Sequence, residues 1–399
     1  MKNPERIDRI RIALRTNQWD LVVCALPKNV LLLSGYWPVV GTGVAIASSD
    51  GPIALLVPED EEELAKDGWA DDVHTFKPGS LDKLTTAAEA IQTPLYEMLK
   101  SFSGSKARVA FEATETSEPA SYAAMHLYSG QMRSLLQETL PDAGFDSADK
   151  MLATLRATKT DAEIGRLRMA AEIAGTAFRE GAKQIQIGRT EVEVATKFRQ
   201  PLSASLAEFS GLQRADGFAW CMSGANSALA AGAYARSRAK SIAAGDFVLV
   251  HMNSYVDGYW TDVTRTYPMG KPDHRQQQMY EAISLAQQAA LSAIRPGAKG
   301  SQVDAAARDV LQAHGFGTQF KHSTGHGIGF SAIDANARPR LHPKSEDTLE
   351  VGMVFNVEPA IYFEGYGGIR HCDVVTVTDS GAELLTPFQS CVDELVLNA

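Results

Sequence analysis

The stretch FKHSTGHGIGF, residues 320–330, places two histidines, His322 and His326, four residues apart among three glycines. Glycine lets a backbone approach a ligand closely, and imidazole serves both as a metal ligand and as a general acid or base. A glycine-rich strand end with two exposed histidines would have the same sequence. The rest of the chain has to decide between a ligand site and this simpler interpretation.

Three other stretches place polar residues on apolar runs that predict β-strands. They are LVHMNSYVDGYWTDVTRTY (249–267), MVFNVEPAIY (353–362) and GGIRHCDVVTVT (367–378). The second contains Glu358, a carboxylate inside an apolar run. Burying a carboxylate is costly unless it is paired or bound to a metal, so we expect Glu358 to have a partner.

One cluster of ligands would explain these polar residues together. The candidate ligands are His251, Asp262, His326, Glu358 and Cys372. Each has an ordinary alternative: a lone cysteine is usually a small core residue, a strand-end histidine is usually a satisfied surface group, and Asp262 could pair with Arg265. These alternatives weaken when five ligand-type residues fall on four successive strands, so the sequence predicts a single site.

The alternation of side chains along a strand predicts which residues of the stretch 367–378 point the same way. Residues two apart share a face of a strand. Arg370 should therefore share a face with Cys372, and His371 should share the opposite face with Asp373.

The composition is that of an acidic globular protein. The chain has 399 residues, of which 45% are hydrophobic and 22% charged, and its formal net charge is −10. The negative charge argues against a nucleic-acid partner, which needs a basic face, and no apolar run reaches membrane-spanning length. The four cysteines form no C-x-x-C pair, and the charged start has no signal-peptide core. We therefore expect a cytoplasmic protein with free thiols.

Two domains are expected, residues 1–153 and 154–399. In the first, DLVVCALP (20–27) and NVLLLSGY (29–36) predict short buried strands, and GVAIASSDGPIALLVP (43–58) predicts a hairpin around Asp50-Gly51. Alternating helix and strand signals make this an α/β domain. It contains no phosphate-loop or dinucleotide fingerprint.

The second domain shows the same pattern twice. Two predicted helices, each starting at a capping box (Thr160 with Glu163, Thr190 with Glu193), precede three predicted strands. Two more helices then precede three further strands, the first of which is 318–330. An internal repeat with a site between its halves is the natural construction.

Four motifs, DGYWTDVTRT, HSTGHGIG, VFNVEPAIY and GGIRHCD, occur in this order. Together they resemble the aminopeptidase P, prolidase and creatinase family (family M24). The resemblance is close over residues 155–390, and residues 1–153 resemble that family's smaller N-terminal domain more loosely. It implies an α/β (α+β) pita-bread fold with an internal pseudo-two-fold repeat, a homodimer, and hydrolysis of C–N bonds.

The resemblance assigns metal ligands residue by residue. The family's peptidases hold two divalent ions with two Asp, one His and two Glu, and Asp262, His326 and Glu358 match three of these positions. His251 stands where the first Asp is expected, and Cys372 where the bridging Glu is expected. Both replacements favour softer ions. The expected cofactor is therefore a single divalent metal, with zinc favoured and iron or manganese as alternatives, or no metal at all.

The resemblance also bears on catalytic residues. His322 and Arg370 are kept, and with Glu358 they are the candidate catalytic residues. Two family histidines are missing: Ile333 replaces one, and Ala231 or Tyr234 stands in place of the other.

The sequence therefore predicts a hydrolase of a dipeptide, an Xaa-Pro-like substrate or a small amide, with water activated by one metal ion. A metal-free creatinase-like enzyme that cleaves an amidine or a small ring is one alternative. Cys372 as a nucleophile is another, provided that its pKa is lowered. A catalytically inactive binding protein with the same fold is the remaining alternative.

Overall fold

The computed structural model describes residues 2–39, 43–79, 81–82, 86–102, 106–113, 129–232, 236–334 and 336–397. The chain divides into two compact units, Met1–Arg156 and Ala157–Ala399. The boundary expected from the sequence lies between residues 153 and 154. In the described part of the chain, no helix combines the length and the apolar character needed to cross a membrane.

The first unit is built on a six-stranded mixed sheet. Its strands are β1 (Leu21–Cys24), β2 (Val44–Ser48), β3 (Ile53–Pro58), β4 (Asp72–Phe76), β5 (Arg108–Phe111) and β6 (Gly144–Ser147). Its helices are α1 (Pro4–Thr16), α2 (Pro27–Ser34), α3 (Glu62–Ala65), α4 (Ala87–Phe102), α5 (Ser129–Thr139) and α6 (Asp149–Ala157), the last of which runs to the boundary. The strand order is β4-β3-β2-β1-β5-β6. The antiparallel pairing of β2 with β3 confirms the predicted hairpin.

The apolar run 29–36 predicts a strand but forms most of helix α2. The prediction was wrong because a short apolar run does not distinguish a buried helix from a buried strand. Pro27 begins the helix. The carboxylate of Glu112 accepts hydrogen bonds from the backbone N–H of Leu26 (3.0 Å) and from Nδ2 of Asn29 (2.7 Å). An anionic acceptor at the N-terminus stabilises a helix.

The second unit contains two sets of helices followed by strands, as predicted, but in the second set the predicted strands 353–362 and 367–378 each split into two. The first set is α7 (Asp161–Ala182), α8 (Glu191–Ala204), β7 (Ala215–Ser223), β8 (Phe247–Val256) and β9 (Tyr259–Pro268). The second is α9 (His274–Ala293), α10 (Gly300–Ala313), β10 (Val354–Val357), β11 (Ala360–Phe363), β12 (Gly367–Arg370), β13 (Asp373–Thr378) and β14 (Gly381–Leu384), followed by the short α11 (Val392–Leu395). Both predicted capping boxes are present.

Three sheets result from this order of elements. Strands β7, β8 and β9 form one antiparallel sheet, β10, β13 and β14 a second, and β11 pairs with β12. An isolated bridge between Thr264 on β9 and Cys372, between β12 and β13, connects the two halves. The bridge places the polar stretches of both halves side by side.

The stretch 320–330, which predicts a strand, forms no regular strand. Isolated bridges tie Gly325 to Leu341 and Gly327 to Phe355. A Cβ at Gly325 would lie 1.9 Å from the carbonyl oxygen of Asn356. Gly325 is therefore needed because the backbone passes directly against β10 at this point. This close approach, and not a strand ladder, brings His326 into the site.

Glu191 organises the chain that follows β7. Its buried carboxylate accepts hydrogen bonds from the backbone N–H groups of Ser223 (2.6 Å) and Arg238 (2.8 Å) and from Nδ2 of Asn226 (2.7 Å). These four residues fix the described part of 223–238, which includes Ala230, a neighbour of the site.

Replacing Glu191 with Gln turns one acceptor oxygen into an NH2 group that faces other donors. We expect the free energy of unfolding to fall by about 2–4 kcal/mol, because buried donors lose a charged acceptor. Urea unfolding followed by tryptophan fluorescence would measure this. The exposed Glu172→Gln is the matched control, and an equal urea midpoint for both variants would contradict the assigned role of Glu191.

Candidate active site

Four of the five predicted ligands meet in one buried cluster, which we call the acidic cluster: Asp262, His326, Glu358 and Cys372. Nε2 of His326 lies 3.6 Å from Oδ2 of Asp262 and 3.9 Å from Oε1 of Glu358. Sγ of Cys372 lies 3.6 Å from Oδ1 of Asp262. Asp262, Glu358 and Cys372 each offer one potential ligand atom, and these three atoms lie within 4.8 Å of one another. The other members of this cluster are therefore the partners that the sequence predicts for the Glu358 carboxylate.

The ring of His326 is oriented by the backbone. Its Nδ1 lies 3.1 Å from the carbonyl oxygen of Gly327. Since a carbonyl only accepts, Nδ1–H donates to it, and Nε2 faces the two carboxylates. A histidine ligand commonly has its ring fixed by such a hydrogen bond at the second nitrogen.

His251 borders the acidic cluster but is packed differently. Its Nδ1 lies 3.0 Å from Oγ1 of Thr264 and 3.5 Å from Oδ1 of Asp262. Its ring stacks on Trp220, with 5.5 Å between ring centroids and 16° between planes. Burial lowers the pKa of His251 to about 4, although the charge of Asp262 opposes this shift. The structure therefore places His251 as a neutral ring beside the predicted ligands.

Arg370 also borders the acidic cluster. Its Nε donates to Oγ1 of Thr264 (3.1 Å) and its Nη1 to the carbonyl oxygen of Ala230 (3.3 Å). Nη1 also lies 3.9 Å from Oε2 of Glu358. The guanidinium is thus held in place with its charge toward the cluster.

His322 contacts a tyrosine. Its Nδ1 lies 2.8 Å from the carbonyl oxygen of Ser323, and its Nε2 lies 3.1 Å from the hydroxyl of Tyr362. Burial, aided by the charge of Arg370, lowers the pKa of His322 to about 4. Burial also raises the pKa of Tyr362 to about 12. A neutral His322 therefore accepts the hydrogen bond of a protonated Tyr362 and orients it.

His371 and Asp373, which were predicted to share the opposite face of residues 367–378, form a separate ion-pair group with Arg265. Asp373 lies 2.6 Å from Nη2 of Arg265 and 2.9 Å from Nε2 of His371. Burial alone would raise the pKa of Asp373, but the charges of Arg265 and His371 hold it below its usual range. Arg265 therefore pairs with Asp373, which leaves the carboxylate of Asp262 to the acidic cluster.

Cys372 is surrounded by negative charge. Burial raises the pKa of its thiol well above the usual value, and Asp262 and Glu358 raise it further. The thiol donates to the carbonyl oxygen of Asp262 over 3.2 Å. A nucleophilic cysteine needs a lowered pKa, so these surroundings argue against the nucleophile hypothesis.

Asn356 is a site residue that the sequence interpretation missed. Its Oδ1 accepts from the backbone N–H of His326 (2.7 Å), which fixes the orientation of the amide. Its Nδ2 therefore points inward, 3.2 Å from Nε2 of His326 and 3.7 Å from Sγ of Cys372. The available signal was its position two residues before Glu358, on the same side of an apolar strand.

The two positions of the missing histidines offer no replacement base. Ile333 is 39% exposed at the end of the loop that follows His326. Ala231 has no ionisable group, and Tyr234 lies outside the described residues.

Comparison with known proteins gives the following matches. The model described as metallopeptidase family M24 matches residues 165–379, and that of the creatinase/prolidase N-terminal domain matches residues 6–158. The chain is 31% identical to the Xaa-Pro dipeptidase of Pyrococcus furiosus over 96% of this chain and 97% of that protein.

Two solved structures are similar over nearly their whole length. The prolidase from Pyrococcus horikoshii OT3 has 28% identity and a TM-score of 0.76, with 96% of this chain and 99% of that chain covered. The Xaa-Pro dipeptidase from Bacillus anthracis has 27% identity and a TM-score of 0.79, with 98% and 99% covered.

Proposed function

Because this chain belongs to metallopeptidase family M24, and is a hydrolase with the pita-bread fold of that family, we propose that it cleaves the C–N bond of a dipeptide, an Xaa-Pro-like substrate or a small amide. The observation that supports this proposal best is the acidic cluster, a buried group of two carboxylates, an imidazole and a thiol. The two Xaa-Pro dipeptidases and the prolidase among its relatives support a dipeptide as the substrate.

The acidic cluster fits one divalent ion. Family M24 enzymes generally depend on divalent metals, and imidazole, carboxylate and thiolate are all zinc ligands. Ligand atoms on a tetrahedral zinc ion lie roughly 3.3–3.8 Å apart. Here His326 and Cys372 each lie 3.6 Å from Asp262, at different carboxylate oxygens, and single ligand atoms of Asp262, Glu358 and Cys372 fall within 4.8 Å of one another. The loss of a bridging carboxylate at position 372 favours one ion over two. A bound ion would supply a water of lowered pKa as the nucleophile.

The residues of the chain itself supply the remaining functions. Glu358 is placed to accept a proton from the attacking water, because its carboxylate faces the cluster between His326 and Arg370. Arg370 offers its charge to the carbonyl oxygen as negative charge develops there. The hydrogen bond from the hydroxyl of Tyr362 to Nε2 of His322 holds these two side chains in place.

A substrate panel tests this function. We expect the purified protein to release free amino acids from dipeptides, including proline dipeptides, and to lose this activity after treatment with a chelator. Creatine and cyclic amidines belong in the same panel, because they report the alternative reaction. Hydrolysis of none of these compounds by metal-loaded protein would contradict the proposal and favour a binding protein.

One observation favours the metal-free alternative. The amide NH2 of Asn356 points at Nε2 of His326 and at Sγ of Cys372, the atoms that a cation would engage. In a metal-free reaction, His326 and Glu358 would carry the general acid and base functions. Chelator-resistant hydrolysis of an amidine would identify this route. The homodimer, the cytoplasmic location and the absence of a nucleic-acid partner remain predictions.

A further inference from the structure

In the antiparallel sheet of β7, β8 and β9, the face that carries Asp262 also carries a group of aromatic rings. In the register of β7, β8 and β9, Phe218 is opposite Asn253, which is opposite Asp262. Residues directly opposite one another share a face of a sheet, as do residues two apart on one strand. Trp220 and Trp260 therefore lie on the face of Asp262. Tyr255 lies on this face too, but its ring is tilted by 52° to that of Trp260, with 4.7 Å between centroids. We call the four nearly parallel rings, those of Phe218, Trp220, His251 and Trp260, the aromatic face.

The rings of the aromatic face are nearly parallel. The planes of Phe218 and Trp220 differ by 23° with centroids 5.9 Å apart, and those of Phe218 and Trp260 by 9° with centroids 6.4 Å apart. His251 continues the stack on Trp220, at 16°. Since Nδ1 of His251 lies 3.5 Å from Asp262, the stack ends beside the acidic cluster.

The aromatic face is most open to solvent at Phe218, which lies between Trp220 and Trp260. Phe218 is 52% exposed, and Trp220 and Trp260 are half-buried. Large aromatic side chains gain free energy when they are covered, and an exposed apolar patch next to a reaction site marks a place for a ligand. The position of the patch points to a part of the substrate that lies close to the bond being cleaved.

We infer that the aromatic face binds a planar aromatic ring of the substrate, carried within one residue of the scissile C–N bond. Nearly parallel ring planes accept another flat ring as the next member of the stack. A cation is better held by rings set at angles around it. The inference also gives His251 a role as part of the binding face. It rests on the proposed function for the reaction, but ring binding can be measured without turnover.

Matched dipeptides test the ring preference. Phenylalanyl-alanine and alanyl-phenylalanine are each compared with the counterpart that contains cyclohexylalanine, which is as apolar but not flat. In one of the two pairs we expect kcat/KM to be about fivefold higher for the phenyl compound, the size of an aromatic pair contribution. Phe218→Leu and Trp220→Leu should reduce this ratio toward one. Phe316→Leu, which removes a half-buried ring that packs on Phe363, should keep it.

A binding measurement separates the two proposals. Dipeptides that contain 4-nitrophenylalanine should quench the tryptophan fluorescence of the wild-type protein, and Trp220→Leu should weaken this binding about fivefold. Binding of this kind without hydrolysis of any dipeptide would support the aromatic face and count against the proposed reaction. Hydrolysis with equal kcat/KM for phenyl and cyclohexyl compounds, in the wild-type protein and in both variants, would overturn the inference and leave the reaction standing.

Discussion

Glu358→Gln is expected to lower kcat by about 10³-fold while the protein stays folded. Within the acidic cluster, the carboxylate oxygens of Glu358 lie 3.9 Å from Nε2 of His326 and 3.9 Å from Nη1 of Arg370. An amide of the same shape keeps the packing but can no longer accept a proton from water. Initial rates with the best dipeptide of the panel measure the effect. Glu364→Gln, on the exposed turn after β11, is the control and should retain full activity.

The metal content of the same variant separates the two roles open to Glu358. If Glu358 is mainly the base, the variant should bind a divalent ion as the wild-type protein does and still be inactive. If it is mainly a ligand, activity and bound metal should fall together. Activity near the wild-type level would contradict both roles and would move the reaction away from the acidic cluster.

The sequence located the acidic cluster because burial of charge has a cost. Asp262 interrupts the apolar strand β9, and Glu358 and Cys372 lie at the breaks between β10 and β11 and between β12 and β13. Period-two alternation still separates Cys372 from Asp373 correctly. The elements with long periodic patterns, such as α7 and α8, were predicted together with their capping boxes. Local sequence therefore suffices where a residue's own strand or helix determines which way it points.

The remaining features depend on contacts between distant segments. That His251 is a metal ligand stays a prediction, but no local pattern reveals the register of β7 with β8 that stacks it on Trp220. That His322 is catalytic also stays a prediction, and its partner Tyr362 lies 40 residues away in the chain. The role of Asn356 follows from a backbone N–H 30 residues away.

About one divalent ion per chain is expected in the purified, untagged protein, and Cys372→Ala should weaken its binding by at least about 100-fold, because the thiolate is one of only four ligands. His251→Ala should weaken metal binding by no more than about tenfold, since Nδ1 of His251 contacts the ligand Asp262 over 3.5 Å but its loss leaves the four ligands in place. Metal analysis by mass spectrometry and competition with a chelating dye measure both quantities. An equal loss of affinity in the two variants would show that His251 is a ligand after all.

Asn356→Ala decides between the metal and metal-free routes. If its NH2 group blocks Nε2 of His326, removing the amide should raise metal affinity about tenfold, by the loss of one competing hydrogen bond. If the amide instead supports a metal-bound cluster, by fixing the backbone at His326 and donating to the Cys372 sulfur, its removal should lower affinity about 10–100-fold. We expect the second result, since the donor set of the cluster fits a cation. A wild-type protein that stays metal-free after reconstitution, with tighter binding in the variant, would identify Asn356 as the group that replaced the ion.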